Sequence, residues 1–102
     1  MSGAGALPEF ASLDEVRAEI DRVDDEIVRL IARRTACVDQ VARFKRTADD
    51  VHDPVRARQV VERGRERAVR LGADPDLVAD LYRLLIERFS DRQRAAIGRR
   101  EG

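Results

Sequence analysis

Arg34 stands in the chain where a leucine is due. From Leu13 the apolar residues recur at spacings of three and four, as Leu13, Val16, Ile20, Val23, Ile27, Leu30, then Cys37, Val41 and Phe44, and the position between Leu30 and Cys37 is Arg34. Such a stripe is the seam of a helix packed on other helices, so the pattern predicts a guanidinium pointing inward. An arginine keeps its charge at any ordinary pH, and burying that charge unpaired costs several kcal/mol. An anion must meet it there, supplied either by the protein or by a ligand.

Three more residues fit the second source. Lys45 follows Arg34 by eleven residues, three helical turns, so the two side chains project from nearly the same face about 16 Å apart along the axis and can converge on one small anion. Taken alone, Lys45 reads as a side chain snorkelling from the end of the seam. Arg56 sits in the first turn of a second helix, where a positive charge opposes the helix dipole and is better explained if it answers an anion. Gln93 follows Ile86 by seven and Phe89 by four and continues an apolar line with an amide that must be satisfied if buried. Together these residues suggest a pocket of three cations and one amide, suited to a small polyanion with an additional acceptor oxygen.

The elements that must position these residues are helices. Ser12 followed by Glu15 has the capping-box form and starts the first helix at Leu13. No Pro or Gly interrupts it before Pro54, so it is expected to run to Arg46 or Thr47, about 50 Å in length. A helix that long in so small a domain can bury its stripe only against a partner, and an intertwined dimer is the simplest supply. Ala48 to His52 reads as a polar connection, and Asp53-Pro54 supplies a capping residue with Pro at the first helical position. The second helix then runs to Leu71, with Gly72 as its C-terminal cap. Asp74-Pro75 opens the third, which carries Leu77, Val78, Leu81, Tyr82, Leu85, Ile86 and Phe89 at helical spacing. The expected fold is all-α, with one long and two shorter helices per chain in an intertwined homodimer. Residues 1–12 are expected to be a flexible N-terminal segment, 13–97 the helical domain and 98–102 a flexible tail.

Composition excludes several classes of function. The chain has 39% charged residues and a formal net charge of zero, the balance of a helical bundle and not of a nucleic-acid-binding module. Arg58, Arg63, Arg65, Arg67 and Arg70 alternate with Glu62 and Glu66 and lack stacking aromatics beside them, so they read as a solvated face. The only histidine, His52, reads as a solvated loop residue, and the sequence shows no Ser-His-Asp arrangement, phosphate loop or Cys/His cluster. Cys37, the only cysteine, lies on the apolar stripe and is expected to be a buried, reduced thiol. No secretory leader or membrane-spanning run is visible, and the chain is expected to be cytoplasmic and soluble.

Several stretches taken in order are similar to the all-helical chorismate mutase family: Val16-Arg17-Ala18-Glu19-Ile20-Asp21 with Asp24; Leu30-Ile31-Ala32-Arg33-Arg34; Val41-Ala42-Arg43-Phe44-Lys45; Val51-His52-Asp53-Pro54-Val55-Arg56; and Leu84-Leu85-Ile86-Glu87 through Gln93. The likeness spans residues 13 to 95. It implies an intertwined dimer of three-helix chains with two sites shared between subunits. It also implies the one-step rearrangement of chorismate to prephenate, with no cofactor or metal. By the same resemblance Arg34, Lys45, Arg56 and Gln93 come from one subunit and Arg17 from the other. Arg17 lies about 25 Å from Arg34 along the first helix, so a single chain cannot bring both to one small ligand.

The resemblance assigns roles as well. Arg34 and the partner's Arg17 clamp the two carboxylates, Lys45 and Gln93 donate to the ether oxygen, Arg56 supports a carboxylate or orders the loop, and Asp53 lies near the ring hydroxyl. Two positions depart from the family pattern. Ala57 stands where the mutases usually carry a Glu that binds the ring hydroxyl, and Phe89 stands where efficient mutases often have a small polar residue. Both make the pocket more apolar and resemble isochorismate pyruvate lyases, which form salicylate; 4-amino-4-deoxychorismate mutases also lack that Glu. A non-enzymic helical dimer is the remaining alternative.

Overall fold

Local capping chemistry sets where each helix begins. The computed structural model describes residues 7–101 and contains three α-helices, α1 (Leu13–Ala42), α2 (Pro54–Leu71) and α3 (Pro75–Glu101), with one short 3-10 helix at Ala48–Val51. Among the described residues there is no strand, in keeping with the all-α expectation. Residues 1–6 of the expected N-terminal segment and residue 102 of the expected tail lie outside the described residues. The Ser12 hydroxyl accepts from the Glu15 amide at 3.2 Å, and the Glu15 carboxylate reaches back to the Ala11 amide at 2.6 Å. Asp53 accepts from the Arg56 amide at 3.0 Å with Pro54 in the first turn, and Asp74 does the same for α3 through the Asp76 amide at 3.0 Å. Gly72 closes α2 at φ 79°, the left-handed conformation that favours glycine.

The helix ends differ from the sequence expectation in two places. α1 stops at Ala42, short of Arg46 or Thr47, because one distant group and one local one take over the backbone groups that a further turn would have used. The Arg100 guanidinium donates to the carbonyls of Ala42 (3.1 Å) and Lys45 (2.6 Å), and the Asp50 carboxylate accepts from the amides of Arg46 (2.8 Å) and Thr47 (3.0 Å). The polar connection is thereby wound into the 3-10 turn. At the other end of the chain α3 continues to Glu101, past Ile97, where the helical domain was expected to end. Ile97 is fully buried and Arg100 is tied to α1, so this last turn is held by packing and by two hydrogen bonds.

α3 is the middle of the molecule. α2 runs antiparallel to it, with Gly64 opposite Tyr82 and Arg65 paired to Asp76 at 2.7 Å. The C-terminal part of α1 runs parallel to it: Arg34 meets Tyr82 and Phe89, Asp39 meets Arg92, and the Ala42 carbonyl meets Arg100. The Asp39–Arg92 pair is bidentate, at 2.7 and 2.9 Å. Between the helices lies a small core of Val38, Ala42, Val51, Val61, Ala68, Ala79, Phe89 and Ile97.

The middle of α1 has no cover from the other described residues. Every residue from Ile20 to Arg33 is exposed, including the seam residues Ile20, Val23, Ile27 and Leu30. The radius of gyration is 17.3 Å, against about 13 Å for a compact domain of this length. Cys37, expected to be buried, is exposed in the chain for the same reason: the stripe on which it lies is only partly covered. Among the described residues, no helix is long and apolar enough to cross a membrane.

Candidate functional site

A cleft of about 650 Å³ opens where the C-terminal part of α1, the 3-10 turn, the first turns of α2 and the second half of α3 come together. Seven of the eight expected site residues line it: Arg34, Lys45, Asp53, Arg56, Ala57, Phe89 and Gln93. The eighth, Arg17, is exposed on the N-terminal part of α1 and does not reach the cleft of its own chain.

Arg34 is half-buried and lies over two rings of α3, 5.1 Å from the centre of Phe89 and 5.7 Å from that of Tyr82. No carboxylate or other acceptor among the described residues pairs with it. Of the two sources of an anion, the described residues therefore leave the place open. An aromatic face attracts a cation by about 0.5–2 kcal/mol without neutralising it.

Lys45 lies beyond the end of α1, in the turn held by Arg100 and Asp50. Its ammonium group donates to the Asp50 carbonyl at 3.1 Å, which fixes the side chain while leaving further N–H donors free. The backbone amides of Thr47 and Arg46 hold the Asp50 carboxyl below its ordinary value, so this anchor stays ionised and keeps the turn wound. Arg56 is exposed in a first turn that contains no acidic residue, and Asp53 caps the amide of the same residue. Gln93 is half-buried, and its amide makes no hydrogen bond among the described residues. Ala57 is half-buried in the cleft wall, and Phe89 is buried.

Two further polar residues of the cleft, Ser90 and Arg94, were not singled out from the sequence. Their signal was available: Ser90 follows Ile86 by four and Arg94 follows Ser90 by four, so both share the face of α3 that carries Gln93. Arg94 is shared with Asp91 at 3.4 Å, an exposed pair of little strength. His52 is exposed, as expected of a loop residue, and lies at the cleft rim. Asp53 is the one carboxylate among the lining residues, against four cations, Arg34, Lys45, Arg56 and Arg94. The arrangement suits a small molecule with more than one carboxylate and a neutral acceptor. Among the described residues no group of three His, Cys, Asp or Glu side chains is placed to hold a metal ion.

Comparison with known proteins points the same way. The family model for chorismate mutase type II matches residues 16–94, a stretch that contains all eight expected site residues. A chorismate mutase from Methanocaldococcus jannaschii is 30% identical over 76 residues, covering 74% of this chain and 77% of that protein. The T-protein of Haemophilus influenzae is 32% identical over 73 residues, covering 71% of this chain and 19% of that protein. A bifunctional chorismate mutase/prephenate dehydratase from Aquifex aeolicus is 38% identical over 52 residues, covering 50% of this chain and 14% of that protein. The chain thus matches most of the first relative and a minor part of the other two.

Proposed function

We propose, because the chain belongs to the chorismate mutase type II family, that its cleft binds chorismate and rearranges it to prephenate. The observation that carries this reading is the unpaired Arg34 guanidinium in a cleft shared with Lys45, Arg56 and Gln93. The rearrangement is a concerted reorganisation of one molecule: the ether C–O bond breaks as a C–C bond forms, and no proton leaves or arrives. What such a reaction needs from a protein is restraint of a flexible substrate in its reactive conformer and donors aimed at the ether oxygen as charge builds there.

Each group in the cleft suits one of these tasks. Arg34 takes a carboxylate through its fork of N–H donors. Lys45, anchored by one hydrogen bond to the Asp50 carbonyl, and Gln93, whose amide is unengaged, donate to the ether oxygen. Arg56 supports a carboxylate at the start of α2, and Asp53 lies toward the ring hydroxyl. The second carboxylate is left for the partner's Arg17, which makes the functional unit a homodimer with shared sites. Two features support that assembly: the uncovered seam from Ile20 to Leu30, and the separation of Arg17 from the cleft of its own chain.

Ala57 and Phe89, both lining the cleft, favour a second reading, in which the substrate is isochorismate, split to salicylate and pyruvate, or 4-amino-4-deoxychorismate. A substrate panel decides among them. Purified protein is incubated with chorismate, isochorismate and the amino analogue, and prephenate, salicylate and amino-prephenate are measured. Prephenate from chorismate is the expected result; no turnover of chorismate sinks the leading reading.

A further inference from the structure

Arg34 has aromatic neighbours where a buried arginine ordinarily has an acidic one. Phe89 and Tyr82 are seven residues apart on α3, two helical turns, so both rings project from one face toward α1, with the Arg34 guanidinium carbon 5.1 and 5.7 Å from their centres. Phe89 is also a wall of the cleft, but Tyr82 is not. Tyr82 is half-buried between Arg34 and α2, and its hydroxyl makes no hydrogen bond among the described residues.

The same ring also rests on a glycine of α2. A methyl group at Gly64 would lie 2.8 Å from Cδ2 of Tyr82, closer than real Cβ atoms approach, and 3.1 Å from Cε2, so any residue but glycine would push the ring away. Glycine in the middle of a helix weakens that helix, and here it opens the notch that seats the ring against the α2 backbone. Gly64 of α2 and Arg34 of α1 thus both meet the Tyr82 ring.

The choice of rings over a carboxylate has a chemical consequence. A carboxylate partner would neutralise Arg34 and engage the N–H donors that a bound anion needs, whereas a ring face attracts the cation and leaves those donors to others. We infer that Tyr82, seated in the Gly64 notch, is a positioning residue for Arg34: with Phe89 it fixes the guanidinium in place while leaving its charge and its N–H groups to the substrate carboxylate. The identity of that carboxylate rests on the proposed function; the positioning is a property of the ligand-free chain.

Three variants test it: Tyr82→Phe, Tyr82→Leu and Gly64→Ala. The order of the Arg34 Nε–H bond is measured by ¹⁵N relaxation in the ligand-free protein, and kcat and KM for chorismate are measured well below the melting temperature. Tyr82→Phe keeps the ring and should leave both readouts within about twofold of the parent. Tyr82→Leu should lower the Arg34 order and reduce kcat/KM by about tenfold or more, since small misplacements of a binding group carry large penalties. Gly64→Ala should move both in the same direction although alanine favours the helix. A ring that merely fills space between α2 and α3 would lower the melting temperature without loosening Arg34. Unchanged Arg34 order in Tyr82→Leu overturns the inference, and if that chain does not fold, unchanged order in Gly64→Ala does so. Absence of chorismate turnover by the parent protein would refute the proposed function instead, and the relaxation measurement would still decide the positioning.

Discussion

Replacing Ile27 by Asp should separate the proposed dimer into chains that cannot turn over substrate. Ile27 lies at the middle of the uncovered seam and is 47% exposed in the single chain, flanked by Val23 at 46% and Leu30 at 58%. Full burial of such a side chain is worth about 1.5–3 kcal/mol, so covering the half that remains exposed contributes about 1 kcal/mol per chain. Ile27→Ala removes that twice in a symmetric pair, about 2 kcal/mol, which raises the dimer Kd by about 30-fold. Ile27→Asp adds the desolvation of a carboxylate, several kcal/mol in each chain, and should raise Kd by about 10⁴-fold or more. Sedimentation velocity from nanomolar to tens of micromolar protein measures this directly. Circular dichroism adds a second readout, because α1 from Ile20 to Arg33 is uncovered by the other described residues and an isolated helix of about that length is marginal in water. The monomer should therefore lose helical signal as well as turnover. Arg29→Ala, two residues away and on a different face, should leave Kd within a few-fold. An Ile27→Asp protein that still sediments with the parent and keeps its activity would refute the seam as the interface.

Other outcomes follow from the geometry. Arg17→Ala and Arg34→Ala chains should each be inactive as homodimers, and mixing them should restore up to a quarter of the parent activity, because half of the protein forms mixed dimers with one intact pocket each; no recovery would mean that each site takes both residues from one chain and is not shared. Arg92 holds the Asp39 carboxyl below its ordinary value of 3.8, chiefly through the direct hydrogen bond. A depressed carboxylate stabilises the fold above its unfolded value and loses that contribution as pH falls through the folded value, so Asp39→Asn should flatten the decline of melting temperature with acid in the range below about pH 4. Arg100→Ala removes two donors from the carbonyls that end α1 and should destabilise the chain by about 1 kcal/mol in urea titration while also lowering kcat/KM, because the released turn carries Lys45.

What the sequence disclosed and what it withheld divide along the range of the interactions. Helix starts were legible at Ser12, Asp53 and Asp74 because a cap is made by residues within a few positions of each other. The end of α1 was not, because the group that takes its carbonyls is Arg100, more than fifty residues along the chain. The last turn of α3 was lost for the same reason, since a short run of Arg and Gly reads as a fraying tail until its tertiary partners are seen. Arg34 was legible because a charge breaking an apolar period is a local anomaly. The rings that hold it were present in the sequence as ordinary core residues, and only the meeting of α1, α2 and α3 gives Tyr82 and Gly64 a reason to be what they are. Ser90 and Arg94 were within reach, but a serine or arginine on a half-apolar helix face carries no anomaly of its own.

Phe89 therefore carries two consequences that point in opposite directions, and together with Ala57 it makes the substrate question testable. Its ring makes the cleft wall more apolar than a small polar residue would, which suits a substrate with fewer polar contacts at that end. The same ring holds Arg34, 5.1 Å from its centre. Phe89→Ser should therefore lower chorismate turnover by loosening Arg34, whatever hydroxyl it adds. Ala57→Glu is different, because the side chain it replaces holds nothing. The cleft lining has one carboxylate, Asp53, against Arg34, Lys45, Arg56 and Arg94, so a second carboxylate is electrostatically accommodated there. A hydrogen bond from the ring hydroxyl to a charged acceptor is worth about 1.5–3 kcal/mol, and if it strengthens in the transition state kcat/KM for chorismate should rise by about 10- to 100-fold. Steady-state kinetics on the two variants checks both. Gain in Phe89→Ser with no gain in Ala57→Glu would mean that the ring restrains the reaction more than it supports Arg34, and that the hydroxyl of the substrate does not point toward residue 57.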